Sequence, residues 1–395
     1  MNSRERVQAA LAHREADRVP VDFLAVPEIW RTLTESLGLA PAALDASHFF
    51  DPTWEAILRA LHVDCRVVSY DQFCAPPSSA FSPGDEVEWW DVQSRSTPAR
   101  MWRRRSRDGS VAHDILGRQF VTKATPSGAY EENVPVLATA SSVEDLQRHP
   151  WPDPSWFDFS PITEVIRDMN AAGPRHVRYR IGSVFEVAWQ LRGLEQFMLD
   201  MALEPGIPRY MMERLTDLYV ENLRQVLSQA GEDIDMVYFY DDLASNAGLL
   251  VSLEMWEEFI RPHHARLIEV ARKFGKKVMY HSDGALHSLV GPLIDLGVDV
   301  LNPIQPNVVD MEPERLKRDF GDRLSFHGGI DIIGVLPHGT PAEVRATARS
   351  VIEALSVRGG YVLASSHHIQ SDTPIENVRA LYDLAVREWP SSGVA

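Results

Sequence analysis

The chain has 395 residues, 45% hydrophobic and 24% charged, a composition that supports a large buried core and excludes a disordered chain. A formal net charge of −17 repels polyphosphates and excludes a general nucleic-acid surface. Cys65 and Cys74 indicate neither a disulfide framework nor a four-cysteine metal site, residues 1–11 lack the apolar run of a secretory leader, and no apolar stretch approaches the roughly 20 residues of a membrane span, so a reduced, cytoplasmic protein is expected.

In chain order, residues 3–13 carry Val7, Ala10 and Leu11 at helical spacing, and 19–23 reads as a short strand. Helices are expected over 27–37 and 52–61, then a strand over 67–70. From 87 to 125, Trp89, Trp90, Val92, Met101 and Trp102 alternate with polar residues, and Asp108-Gly109 is a turn signal. Antiparallel hairpins are expected there, with Arg103, Arg104, Arg105 and Arg107 on a solvated face. The connector Trp151-Pro152-Asp153-Pro154 follows. Beyond residue 174 strands alternate with helices. The strands are 177–181, 236–240, 277–280, 298–301, 324–326 and 361–364. The helices are 184–191, 207–227, 254–274 with a kink at Pro262, 286–296, 313–320, 341–356 and 375–386.

Short apolar strands flanked by helices fit a parallel sheet. Polar residues end successive strands: Asp241-Asp242, His281 to Asp283, Asn302, His327-Gly328-Gly329 and Ser365 to His368. No glycine-rich dinucleotide fingerprint opens the pattern. Chemistry drawn from many strand ends is the habit of a (β/α)8 TIM barrel, here with an N-terminal extension and a hairpin insertion. One domain over 1–395 is expected, with 1–65 its N-terminal helical part, 85–150 the insertion and connector, and 174–390 the main barrel repeats.

The sharpest feature is Met279-Tyr280-His281-Ser282-Asp283-Gly284. Residues two apart in a strand share a face, so His281 and Asp283 converge, and Gly284 lets the chain turn. Imidazole and carboxylate supply two zinc ligands, although a histidine hydrogen-bonded to its neighbour explains the pair too. His367, the inward choice in Ser365-Ser366-His367-His368, is a candidate third ligand, and Glu186 a fourth, against the commoner solvated helical glutamate. Asp241, Asp242 and Asp283 are candidate catalytic carboxylates; paired acids can hold a metal or share a proton, and a helix cap is the competing explanation for Asp241-Asp242. Tyr240, His327 and Asp331 are candidate cofactor contacts, the last two around Gly328-Gly329, where a tight turn is the simpler account. Trp30, Trp54, Trp89 and Trp102 are candidates for an aromatic pocket, with packing the default. No nucleophile elbow or phosphate loop occurs.

Several motifs together resemble the uroporphyrinogen decarboxylase superfamily, which includes zinc- and cobalamin-linked methyltransferases. They are Asp17-Arg18-Val19-Pro20, Pro150-Trp151-Pro152-Asp153-Pro154, Tyr240-Asp241-Asp242 and His281-Ser282-Asp283-Gly284, then Leu301-Asn302-Pro303-Ile304-Gln305-Pro306 and Phe326-His327-Gly328-Gly329-Ile330-Asp331. The tail from Gly359-Gly360-Tyr361 to Asn377 completes the set, which covers nearly the whole chain. The resemblance implies an α/β barrel with its site at the carboxyl ends of the strands.

The decarboxylase branch has an arginine-rich N-terminal loop for substrate carboxylates, whereas Arg31 stands alone here. The methyltransferase branch implies zinc held by His-x-Cys and a later cysteine. This chain has Asp283 in the first cysteine position and Ser365 to His368 around the last strand. Such harder ligands suit a methoxy oxygen better than a thiol acceptor. The expected function is a zinc-assisted methyltransferase moving a methyl group from a small methoxylated or methylamine-like donor to a corrinoid carried by a partner protein. The alternative is a metal-independent decarboxylase of a porphyrinogen or smaller acid. A non-catalytic scaffold is a third reading, and a homodimer is among the partner expectations.

Overall fold

The computed structural model describes residues 1–43, 48–77, 86–91, 100–106, 108–125 and 128–389. Among them, seven strands form one curled parallel sheet whose spatial order follows the chain: β1 (Cys65–Ser69), β2 (His176–Arg180), β3 (Met236–Tyr240), β4 (Lys277–His281), β5 (Val300–Ile304), β6 (Ser325–Ile330) and β7 (Tyr361–Ser365). Side chains alternate across each strand, and the sequence exploits this period of two. Val177, Tyr179, Val237, Phe239, Val278, Tyr280, Leu301, Phe326 and Leu363 belong to the large apolar core shared with the helices. Their neighbours Cys65, Met236, Met279, Val300 and Val362 form a separate small cluster on the inner face with Val7 and Leu11. The helix Ser3–Leu11 thus seals one end of the inner face, and the other end is left to polar residues.

The segment expected as a strand over 19–23 is instead a seam of single bridges. Leu363 N donates to Pro20 O and Asp22 N to Leu363 O, each at 2.9 Å, while Asp64 N donates to Val21 O at 2.9 Å. Pro20 has no N–H, and Val21 N donates to the Asp64 side chain at 2.9 Å, so a regular ladder cannot form. The segment nevertheless links β7 to the residue preceding β1.

Other departures have local causes. The helix expected over 254–274 is broken into Leu253–Met255, a π-helical turn Trp256–Ile260 and Arg261–Lys273. Pro262 supplies no N–H and its ring crowds the carbonyl four residues back, so the ladder widens ahead of it. Strands expected to stop at 301 and 326 run on to Ile304 and Ile330, because Gly328-Gly329 stays in β6 rather than turning.

The insertion is a five-stranded antiparallel sheet of Glu86–Asp91, Arg100–Arg105, Val111–His113, Gln119–Thr125 and Gly128–Val134. Trp89 pairs with Trp102 across its first hairpin, and Gly109 takes a φ of 72° at the expected turn. Val92, Arg107 and the side chains of Trp89, Trp90, Met101 and Trp102 lie outside the described residues. Arg103 is buried and pairs with Glu131 at 2.8 Å, so it is not on a solvated face. The aromatic-pocket expectation is corrected for Trp30 and Trp54. They stack in the core, with centroids 4.5 Å apart and planes 7° from parallel, and neither lines the cavity described next. No helix among the described residues is long and apolar enough to cross a membrane.

Candidate active site

A cavity of about 330 Å³ opens at the carboxyl ends of the strands. Inward residues supply its walls: Arg178 and Arg180 from β2, Tyr238 and Tyr240 from β3, Met279 and His281 from β4, Asn302 from β5 and His327 from β6. Asp22, Glu186, Asp242, His367 and His368 line it from outside the strands, and β1 and β7 add Val67, Ala364 and Ser365. A hollow of about 400 Å³ beside the start of β7 holds none of these groups.

At the cavity rim, His281, Asp283 and His367 each offer a ligand atom, and these atoms lie within 4.8 Å of one another. His281 Nε2 is 4.0 Å from Asp283 Oδ1, and His367 Nε2 is 3.7 Å from Asp283 Oδ2. Asp283 Oδ1 is buried without a hydrogen-bond partner among the described residues. A buried carboxylate oxygen costs free energy unless something binds it, which makes this oxygen a candidate metal donor. The turn after Asp283 depends on Gly284, which has a φ of 93°; a Cβ there would sit 2.6 Å from Ser245 O. The Asp283 amide is held by Asp242 Oδ1 at 2.9 Å. Burial lowers the pKa of His367, which keeps its imidazole neutral, as a metal ligand must be.

His281 is braced from behind. Its Nδ1 lies 2.6 Å from Asn302 Oδ1, and Asn302 Nδ2 lies 2.6 Å from His327 Nδ1. His327 Nε2 lies 2.9 Å from Asp22 Oδ2, which also pairs with Arg178. Burial raises the Asp22 pKa, but the Arg178 charge and the His327 hydrogen bond more than reverse this, holding the carboxyl well below its usual range. Arg180 is fixed too, donating from Nε to Ser69 Oγ at 2.8 Å and from Nη2 to Asp71 at 2.6 Å.

Two further carboxyl groups face the cavity. Glu186 is lifted to about 7 by burial, with Asp242 and Asp241 adding repulsion, and its Oε1 accepts from Gln190 Nε2 at 2.8 Å. Gln190 in turn accepts from Arg118, which immediately precedes the strand Gln119–Thr125. Burial raises the Asp242 pKa as well, and the Asp283 charge contributes.

The expected site residues therefore divide. His281, Asp283 and His367 come together, and Asp242, Tyr240, His327 and Glu186 line the same cavity. Glu186 is not part of the three-residue cluster. Asp241 turns away from the cavity. Its fully buried carboxylate accepts from Ser183 Oγ, Val184 N at 3.2 Å, Glu186 N at 2.8 Å and His264 Nε2 at 2.7 Å. It thereby caps the start of the helix Phe185–Arg192 and makes no cavity contact, contrary to the expectation for it. Asp331 accepts from Ile333 N at 2.8 Å and Gly334 N at 3.0 Å, closing a turn outside the cavity lining, so a cofactor contact there is corrected as well. Sequence reasoning named Asn302 only as a polar strand end and pointed to neither Arg178 nor Arg180. For the arginines a signal existed, since positions two apart in His176-Val177-Arg178-Tyr179-Arg180 share one face.

Two imidazoles and a carboxylate, one with an unpartnered oxygen and one braced through its far nitrogen, form a donor set that zinc accepts. A methylated-thiol–coenzyme M methyltransferase of Methanosarcina mazei is 27% identical over 207 residues, 52% of this chain and 51% of that protein. A uroporphyrinogen decarboxylase of Anaeromyxobacter sp. (strain Fw109-5) is 26% identical over 193 residues, 49% of this chain and 51% of that protein. The chain thus spans about half the length of the curated relatives it matches. A solved methyltransferase structure from Methanosarcina mazei shares the fold with a TM-score of 0.60 at 18% identity, covering 96% of this chain and 97% of that one. The family model for uroporphyrinogen decarboxylase (URO-D) matches residues 128–389, which includes β2 to β7 and every residue of the rim cluster, and the chain belongs to that family.

Proposed function

We propose that this protein is a zinc-assisted methyltransferase, built on a closed (β/α)8 barrel whose eighth stave is the seam at residues 19–25. The donor is a small methoxylated or methylamine-like molecule, and the acceptor is a corrinoid carried by a partner protein. One observation carries the reading: Asp283, whose Oδ1 has no hydrogen-bond partner among the described residues, offers a ligand atom within 4.8 Å of those of His281 and His367. The likeness to a methyltransferase over half its length supports the reaction class. When bound by these three residues, zinc would supply Lewis acidity to the donor heteroatom.

The chain's own residues do the rest. Tyr238 and Tyr240 wall the space in front of His281, with ring centroids 6.3 and 6.5 Å from the imidazole. Glu186 holds a proton near neutral pH, and the donor heteroatom takes that proton as its methyl group departs. Asp242 holds the Asp283 backbone and so fixes the rim.

Arg178 and Arg180 on the cavity wall favour the second reading, metal-independent decarboxylation of a porphyrinogen or smaller acid. It ranks below the first because each guanidinium is already paired with a carboxylate, to Asp22 and Asp71. A cavity of about 330 Å³ also stands at the small end of ligand sites, which run from about 300 to 1,000 Å³.

The test joins metal analysis to a donor panel. One zinc per chain, lost in His281→Ala, together with methyl transfer from a methoxylated or methylamine-like donor to a corrinoid protein, is the expected result. Undiminished decarboxylase activity in a chelator-treated enzyme that binds no added zinc would overturn it.

A further inference from the structure

We propose that Asn302 and His327 are positioning residues which, anchored on Asp22, lock His281 as its Nδ1–H tautomer and turn the Nε2 lone pair toward Asp283 and His367. The inference rests on the proposed metal-binding role of that cluster.

The line of contacts has two internally consistent directions. In one, His281 Nδ1–H donates to Asn302 Oδ1, Asn302 Nδ2 donates to His327 Nδ1, and His327 Nε2–H donates to Asp22. In the other, every proton is reversed and His281 carries its proton on Nε2, where it blocks metal ligation. The far end decides between them. His327 Nε2 is 2.9 Å from the Asp22 carboxylate, which can only accept, and 3.2 Å from Arg178 Nη1, which can only donate. Burial keeps His327 neutral, so its ring carries one proton. Placing that proton on Nε2 makes the shorter contact a charge-assisted hydrogen bond; placing it on Nδ1 sets a lone pair against the carboxylate at that distance. Arg178 Nη1 has another acceptor in Met279 Sδ at 3.7 Å, and its Nη2 already meets Asp22. The first direction therefore holds. Asn302 transmits it because a primary amide is an acceptor on one side and a donor on the other, which makes its orientation the information passed along.

The prediction concerns a proton position, so it is readable without metal. In ¹⁵N-histidine-labelled full-length protein freed of metal, long-range ¹H–¹⁵N correlation identifies the tautomer. The His281 signals are those missing from His281→Ala. Wild type should show the Nδ1–H form. Asn302→Leu should mix the two tautomers and weaken zinc binding roughly 10–100-fold in chelator competition, while circular dichroism remains that of the folded chain. Asn302→Asp keeps an acceptor against His281 Nδ1–H and should keep the tautomer, which a packing role alone would not require. His281 found as the Nε2–H form in wild type would overturn the proposal. So would a folded Asn302→Leu with unchanged tautomer and zinc affinity within twofold. If wild type holds the Nδ1–H form yet binds no added zinc, the metal reading fails and the positioning relay stands.

Discussion

Asp241 and Asp283 both follow parallel strands that lie side by side, yet they end in opposite conditions. Around Asp241, a hydroxyl, two backbone amides and an imidazole converge on one carboxylate with no exposure. At the rim, Asp283 is partly exposed, and one of its oxygens is buried with no hydrogen-bond partner among the described residues. A fully satisfied buried acid holds structure together, whereas an acid left short of partners in a cavity mouth is prepared for a ligand. The same contrast separates Asp241 from its immediate neighbour Asp242, which faces the cavity.

Substitution should break this contrast unequally. Asp241→Ala strands four buried donors and is expected to cost about 3–5 kcal/mol in denaturant unfolding, with zinc bound per folded molecule unchanged. Loss of zinc binding at full stability would abolish the distinction. Glu186 gives the next largest effect in metal-free protein. Its folded pKa of about 7 lies above the ordinary 4.5, so between those values the folded state binds a proton that the unfolded chain has released. Stability should therefore fall as pH rises through that window, by on the order of 3 kcal/mol. Glu186→Gln cannot ionise, so its melts should lose that decline and it should be the more stable protein at pH 8. An unaltered pH dependence would show that Glu186 is not the group responsible.

Asp283→Ala should leave unfolding within about 0.5 kcal/mol of wild type and weaken zinc binding about 100-fold, equivalent to about 2.7 kcal/mol. A large loss of stability without loss of zinc would make the rim acid structural. The smallest effect is expected at Asp331, where alanine removes an exposed turn and costs about 1 kcal/mol, with zinc affinity and donor turnover unaltered. A change in either would return Asp331 to the site.

The legible parts of this molecule are those governed by local periodicity. Short apolar runs between helical patterns marked the parallel strands, and the spacing of His281 and Asp283 marked the rim, because a strand puts every second residue on one face. What stayed hidden depends on partners distant in sequence. Asp22 meets Arg178 and His327 across separations of 156 and 305 residues, and nothing near any of the three announces the others. Asp241 looked catalytic because its position at a strand end is the same as that of Asp242. Only the arrival of Ser183 and His264 shows which carboxylate is enclosed. The break at Trp256–Ile260 is an intermediate case: Pro262 announced a disturbance, but not that the ladder would widen rather than bend.

The seam at residues 19–25 also has a consequence in time. Val21 bridges to Leu363, so residues 19–25 stay without that sheet neighbour until β7, far downstream, has been made. Pairings this distant are slow to close, and translation proceeds at only about 5–20 residues per second. His367 is synthesised just after that last strand. A nascent or prematurely terminated chain can thus carry Asp22, Arg178, His281 and Asp283 while lacking both the strand that joins the seam and the third rim residue. The cluster is completed by the same stretch of synthesis that supplies the seam's partner, so a chain that stops short of β7 has no finished site.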